Sequence, residues 1–230
     1  MSAAVPRAVA LVPAAGIGER FGGSKLWATL GGRPVLAWTL AALADPASGV
    51  DQLVVAAPPA DHARIGAVAD SVAARLTLTV VAGGATRQDS VAAGLARCAA
   101  PFVLVHDAAR PLVRPELVAA VLAAAVRHGA ATAACPAVDS TAVRSPAGVL
   151  TWLDRDQVVS VQTPQAFRLD WLREAHADAA EHGRRGDDDA GLVRASGRPV
   201  AVVVGDRRNR KLTDPEDLLT LAAWLAAASG

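Results

Sequence analysis

One pattern constrains the fold of this chain more than any other: short β-branched and aliphatic runs alternate with longer segments of helical apolar spacing. Residues 9–12, 52–57, 76–83, 102–113, 131–138 and 200–205 read as strands, the fourth running into a polar turn. Residues 33–44, 60–73, 88–99, 115–129, 169–181 and 215–228 read as helices, with one more between 181 and 200 after an acidic loop. Pro115 in a first turn and Gly129 at an end punctuate one of these segments as a helix. Strands separated by helices predict an α/β fold, a mostly parallel twisted sheet with helices on both faces. The alternation breaks at 139–165, where short β-like pieces at 142–144 and 158–162 surround the turn-forming "SPAG". This predicts a projecting β-arm that packs against a second copy. The expected organisation is a single domain, 1–230, with a dimerisation arm at about 139–163.

Composition narrows the function. Hydrophobic residues make up 52% of the chain, but no uninterrupted apolar run approaches the roughly 20 residues that span a bilayer. The opening "MSAAVPRAVALVPAAG" reaches proline and glycine too soon for a signal peptide, so a cytoplasmic protein without membrane contact is expected. A net charge of +1 and 3% aromatic content argue against nucleic-acid binding, which needs a basic surface or stacking rings. Cys98 and Cys135 are too few and too isolated for a disulfide framework and are expected to be small buried side chains. His62, His128, His176 and His182 lie on helices without metal-ligand spacing and receive no role.

The informative residues cluster in loops at strand ends, where open α/β sheets bind ligands. In "ALVPAAGIGERFGGSKL" (10–26), Gly16 and Gly18 begin a dinucleotide fingerprint, but Phe21 takes the third glycine position. The second strand ends in "AAPP" without a ribose-binding acid, and no G-K-[ST] makes a P-loop. A dinucleotide-dependent reductase is therefore disfavoured. What remains is a phosphate cradle: Ala14, Ala15, Gly16 and Gly18 let backbone N–H groups approach an anion, and Arg20 and Lys25 add charge. In "GGATRQDS" (83–90), Arg87 suits a phosphate contact, while Ser90 either lines the pocket or, like Asp89, caps the following helix. "VHDAARP" (105–111) ends a buried strand in Asp107, which suits either a turn cap or Mg²⁺, an ion held by one or two carboxylates plus substrate phosphate oxygens. Lys211 precedes the helix start Thr213-Asp214-Pro215. The acidic cluster 187–189 suits a helix dipole better than a metal.

Together "VPAAGIGERFGGSK", "GGATRQDSV", "VLVHDAARP", "DR…VQTPQAF" and "NRKLTDPEDL" resemble, in order and over nearly the whole chain, the 2-C-methyl-D-erythritol 4-phosphate cytidylyltransferases. The resemblance implies a Rossmann-like fold of the nucleotide-diphospho-sugar transferase type and a homodimer embracing through the arm. It also implies attack of a polyol phosphate on CTP, dependent on Mg²⁺ or another divalent cation. By the same resemblance Ala14, Ala15, Gly16, Gly18, Gly84, Arg87, Ser90, Asp107 and Ala108 bind the nucleotide, with Asp107 on the metal. Arg20 and Lys25 stabilise the transition state. Arg110, Ser140, Arg155, Thr163 and Lys211 meet the second substrate, with Arg155 reaching the partner's site and counted, like Lys211, as catalytic. Relatives usually place proline before the first catalytic lysine, whereas Ser24 precedes Lys25 here. The alternatives are a ribitol-5-phosphate cytidylyltransferase on the same scaffold and a non-catalytic nucleotide-binding module.

Overall fold

The computed structural model describes residues 8–16 and 18–228; residues 1–7, part of the stretch that argues against a signal peptide, lie outside it. Along the chain run β1 (Ala8–Pro13), β2 (Thr29–Leu30), β3 (Arg33–Pro34), α1 (Val35–Ala44), β4 (Gln52–Ala57) and α2 (His62–Val72). Then come β5 (Thr77–Ala82), α3 (Arg87–Leu95), β6 (Phe102–Val105), α4 (Pro115–His128), β7 (Ala130–Pro136), β8 (Ala142–Arg144) and β9 (Leu150–Trp152). The chain continues through β10 (Val159–Arg168), α5 (Leu169–Glu181), α6 (Asp189–Ala195), β11 (Ala201–Val204) and α7 (Pro215–Ala228).

Seven strands form one sheet in the order β11-β7-β10-β6-β1-β4-β5. Every pairing is parallel except those of β10, which runs antiparallel to both β6 and β7. The alternation of strands and helices thus yields the mostly parallel α/β sheet it predicts. β1 lies inside the sheet and is buried on both faces, which is why it reads as a continuous apolar run. Its Ala8, Ala10 and Val12 join one core with Leu36, Leu40, Ile65, Val118 and Leu122 from α1, α2 and α4. Its Val9 and Leu11 join a second core with Val91, Leu95, Leu172 and Val193 from α3, α5 and α6. Both cysteines are free and buried. No helix among the described residues is long and apolar enough to cross a membrane.

The run 102–113 is, as expected, a strand that runs into a turn: β6 ends at Val105 and the turn after it presents Asp107. One expectation needs correction. The piece at 158–162 is not part of the arm: β10 is a ten-residue strand of the main sheet. Pro164 disguises it in the sequence, since proline interrupts a ladder. Here the proline follows a cis peptide at a register shift between Val161 and Gln165, where no ladder bond is required of it. The arm is therefore shorter than its sequence pattern suggests. It is built on the β8–β9 hairpin, turned by Gly148 at φ 81° with its N–H donated to the Ser145 carbonyl (2.9 Å). Val143, Val149, Leu150 and Trp152 of this arm are exposed, Trp152 at 67%.

α3 lies unusually close to β1, because a Cβ at Gly94 would sit 2.2 Å from Leu11 Cδ1. Gly94→Ala should gain about 1 kcal/mol of helix propensity and still lose stability, by about 1–3 kcal/mol, through overpacking. Urea unfolding of the variant would measure the balance; a net gain would mean that the α3–β1 contact yields easily.

Candidate active site

Loops leaving the carboxyl ends of β1, β5 and β6, with the loop after β11, line a cleft of ≈ 150 Å³. Its lining includes Ala14, Ala15, Gly16, Lys25, Gly84, Arg87, Ser90, Asp107, Ala108 and Lys211. The first loop is folded around the Gly18 carbonyl, which accepts from the N–H groups of Phe21 (2.9 Å) and Gly22 (3.1 Å). Only glycine suits that position, for φ is 67° and a Cβ would lie 2.2 Å from the Gly23 oxygen. Gly18 thus shapes the cradle and is absent from its lining. Lys25 begins a 3₁₀ turn whose next residues fasten it: Leu26 is buried, and Trp27 donates its ring N–H to Asp61 (3.1 Å) beneath the Arg64 guanidinium (3.9 Å). Ser24 has φ −72°, within the range that proline would impose, so the serine keeps the backbone a proline sets.

In the second loop Thr86 caps α3 in a reciprocal box with Asp89. Ser90 is free of that duty. Its hydroxyl accepts from the Gly84 N–H (3.1 Å) and donates to the Thr86 carbonyl (2.9 Å), holding the glycine turn against the cleft.

Asp107 is the centre of the site. Arg87 Nε lies 2.9 Å from Oδ1, while Lys211 Nζ (3.0 Å) and Arg110 Nε (3.4 Å) meet Oδ2. Burial alone would raise this carboxyl, but Arg87, Lys211 and Arg110 outweigh it and hold Asp107 well below the usual carboxylate range. Lys211 is delivered by tethers that join the last loop to the β6 turn and to β10. Arg110 donates to the Asn209 carbonyl (2.8 Å), the Leu212 N–H to the Ala109 carbonyl (2.8 Å), and the buried Asn209 side chain to the Thr163 carbonyl (2.7 Å). Lys25 is depressed below the ordinary lysine value by burial, by Lys211 and, more weakly, by Arg20, against the pull of Asp107. Positive charge is in excess here.

Behind Asp107 stands a neutral histidine. His106 is fully buried, and burial pushes it down to about 4. Its Nε2 faces the Arg110 carbonyl (3.2 Å), which can only accept, so Nε2 carries the proton and bare Nδ1 accepts from the Thr163 hydroxyl (3.2 Å). The Thr163 oxygen in turn accepts the Asp107 N–H (3.0 Å). Thr163, at 3% exposure, therefore supports the Asp107 turn from within the fold. Arg110 braces Asp107 and the Asn209 carbonyl beside the cleft. Arg20 is exposed at the cleft's edge and makes no ion pair among the described residues. Ser140 and Arg155 are exposed in the arm, outside the lining of this chain's own cleft.

Three buried polar groups carry parts of the site that residue type alone does not reveal. Asn209 ties down the last loop. Asp189 and His176 extend the network behind Arg87, whose Nη1 reaches Asp189 (2.7 Å) while His176 Nε2 meets the other Asp189 oxygen (2.8 Å). The helix-dipole reading of 187–189 fits Asp188, which caps α6 by accepting the Gly191 N–H (2.7 Å), and Asp189, which stands in its first turn. Among the described residues no three of His, Cys, Asp and Glu gather as a metal site. What the cleft offers a divalent cation is one carboxylate already ringed by cations, a donor set that fits an ion arriving with phosphate oxygens rather than one held by protein alone.

A cation-rich cleft with small-residue loops, at the carboxyl ends of a mostly parallel sheet, places the chain among the α/β nucleotidyltransferases. More narrowly, the chain belongs to the 2-C-methyl-D-erythritol 4-phosphate cytidylyltransferase family, whose sequence model matches residues 8–227. The 2-C-methyl-D-erythritol 4-phosphate cytidylyltransferase of Syntrophotalea carbinolica is 42% identical over 221 residues, 94% of each chain. The crystal structure of the Thermus thermophilus enzyme of that name superposes with a TM-score of 0.79 at 41% identity, covering 94% of this chain and 98% of that one. That of 4-diphosphocytidyl-2C-methyl-D-erythritol synthase from Anaerococcus prevotii gives 0.86 at 26% identity, covering 96% and 99%.

His106 makes the site sensitive to acid. Its folded value of about 4 lies below the ordinary 6.5, so the unfolded chain binds the extra proton between those limits and stability falls as pH drops through them. The contribution is on the order of 3 kcal/mol. Urea unfolding at neutral pH and near the folded value should show a pH-dependent loss smaller by about that amount in His106→Gln. Equal losses in both proteins would refute the neutral buried histidine.

Proposed function

We infer that this chain transfers the cytidylyl group of CTP to 2-C-methyl-D-erythritol 4-phosphate in the cytoplasm, releasing pyrophosphate and forming 4-diphosphocytidyl-2-C-methyl-D-erythritol. The observation that carries the chemistry is the crowding of Lys25 and Lys211 by one buried carboxylate, with Arg20 at the edge, where burial and then Lys211 depress Lys25. A site that sets cations against one another is incomplete without a polyanion, and this reaction brings two of them. Family membership supplies the identity of those substrates.

In this reading the triphosphate lies over the backbone of Ala14, Ala15 and Gly16, and the base sits by Gly84, in the turn that Ser90 holds. A phosphate oxygen of the acceptor attacks the α-phosphorus as the bond to pyrophosphate breaks. The acceptor phosphate is already anionic, so no strong general base is needed; the barrier is dominated by repulsion between phosphates and by charge on the five-coordinate phosphorus. Lys25 and Arg20 offset that charge, and Lys211 holds the acceptor phosphate. Asp107 is the residue to hold a divalent cation, which when bound neutralises phosphate charge. The exposed apolar arm packs on a second copy and carries Arg155 toward that copy's cleft.

Pyrophosphate release with CTP should be fast with methylerythritol phosphate and much slower with ribitol 5-phosphate. Equal rates or a preference for ribitol 5-phosphate would overturn the substrate, and absence of release with either would overturn the reaction. Lys25→Ala should lower turnover about 10²- to 10³-fold while leaving the fold intact by circular dichroism. For the arm, sedimentation of Trp152→Asp should shift a dimeric wild type toward monomer; a variant as dimeric as wild type would remove the arm from the interface.

A further inference from the structure

We propose that Asp189 and His176 are positioning residues for this reaction, acting on the cleft through Arg87; the proposal rests on the nucleotidyl-transfer reading above. Asp189 is 1% exposed, and nothing in the capping of α6 requires it. Asp188 already supplies the cap, and Asp188 Oδ2 also accepts from Gln165 Nε2 (2.8 Å) while Gln165 Oε1 accepts the Ala190 N–H (3.0 Å). These bonds pin the first turn of α6 to β10. In the first turn of α6 the helix dipole favours a carboxylate at 189, but that does not require burial, and both buried oxygens are taken by the network Asp189 joins.

That network divides one guanidinium between two carboxylates. Arg87 gives Nε to Asp107 Oδ1 (2.9 Å) and Nη1 to Asp189 Oδ2 (2.7 Å). An arginine facing a single carboxylate tends to pair with it through two parallel bonds. Nη2, the atom that would lie parallel to Nε in such a pair, is buried without a hydrogen-bond partner among the described residues; with Nη1 anchored on Asp189, the guanidinium is turned so that it meets Asp107 through Nε alone, and Oδ2 is left to Lys211 and Arg110. His176 on α5 fixes the other Asp189 oxygen (2.8 Å); since the ionised carboxylate only accepts, His176 Nε2 carries the proton. Without Asp189, Arg87 is released to clamp Asp107 bidentately and draw it from Lys211.

The test is a double-mutant cycle with steady-state kinetics. Asp189→Asn keeps the shape and removes the charge. It should lower kcat/KM for the acceptor phosphate about tenfold, as for directly networked residues, and change the KM for CTP less. In an Arg87→Gln background the same substitution should have little further effect, because its influence passes through Arg87. A purely structural Asp189 would instead cost as much in both backgrounds. Thermal unfolding identifies any variant that fails to fold. In that event His176→Gln, which keeps the Asp189 charge, serves in its place, with a smaller loss that also vanishes in the Arg87→Gln background. No loss in the folded variants, or a loss undiminished by Arg87→Gln, overturns the proposal. An inactive wild type would instead overturn the underlying reaction, so the two failures are distinct.

Discussion

The Asp107 carboxylate and the cations around it hold this site together. Its partners come from three segments: Arg87 from the start of α3, Arg110 from the turn after β6 and Lys211 from the loop after β11. A charge buried this deeply is costly unless paired, and removing one partner of such a pair typically costs about 3–5 kcal/mol. The loops are therefore assembled by the same interaction that shapes the cleft. His106 and Thr163 fix the Asp107 backbone from behind, and the tethers of Asn209 and Leu212 bring Lys211 over it. Asp107 would be poorly placed on a strand that ran on to residue 113; the early end of β6 is part of the design.

The cleft is unbalanced in charge by construction. One carboxylate cannot neutralise Arg87, Lys211, Arg110 and Lys25 together, and Arg87 is partly diverted to Asp189. In an ordinary surface network such an excess is screened and means little. Here burial depresses Lys25 and sharpens its repulsion from Lys211, so the free protein holds a preorganised field that a bound polyanion completes. The hydroxyls that line the cleft, Thr86 and Ser90, are engaged in bonds to backbone. When the attacking group is already an anion, the protein's task is to hold two anions together.

The sheet, its helices and the first-loop residues are legible in the sequence because each carries a local signal. β-branched runs mark strands, small residues mark close backbone approach, and Arg20 and Lys25 stand beside them. Orientation is not local. The bonds that brace Arg110 and Thr163 carry no local signal, Arg110 being held by a carbonyl 99 positions away. Asp189 reads as one acid in a run of three because its partner Arg87 is 102 positions distant. His176 is inconspicuous on an ordinary amphipathic helix. Pro164 makes β10 look shorter than it is, since the register shift that accommodates the proline depends on the neighbouring strands rather than on its own surroundings.

The central claim is that mutual repulsion among the cleft cations is relieved by a bound polyanion, and Lys25 reports it. Calorimetric titration of CTP at alkaline pH, repeated in buffers of different ionisation enthalpy, measures the protons exchanged on binding. Relief of the repulsion raises Lys25 toward its ordinary value, so net proton uptake is expected in the wild type and much less in Lys25→Gln. Binding with no proton uptake, or with proton release, would contradict it.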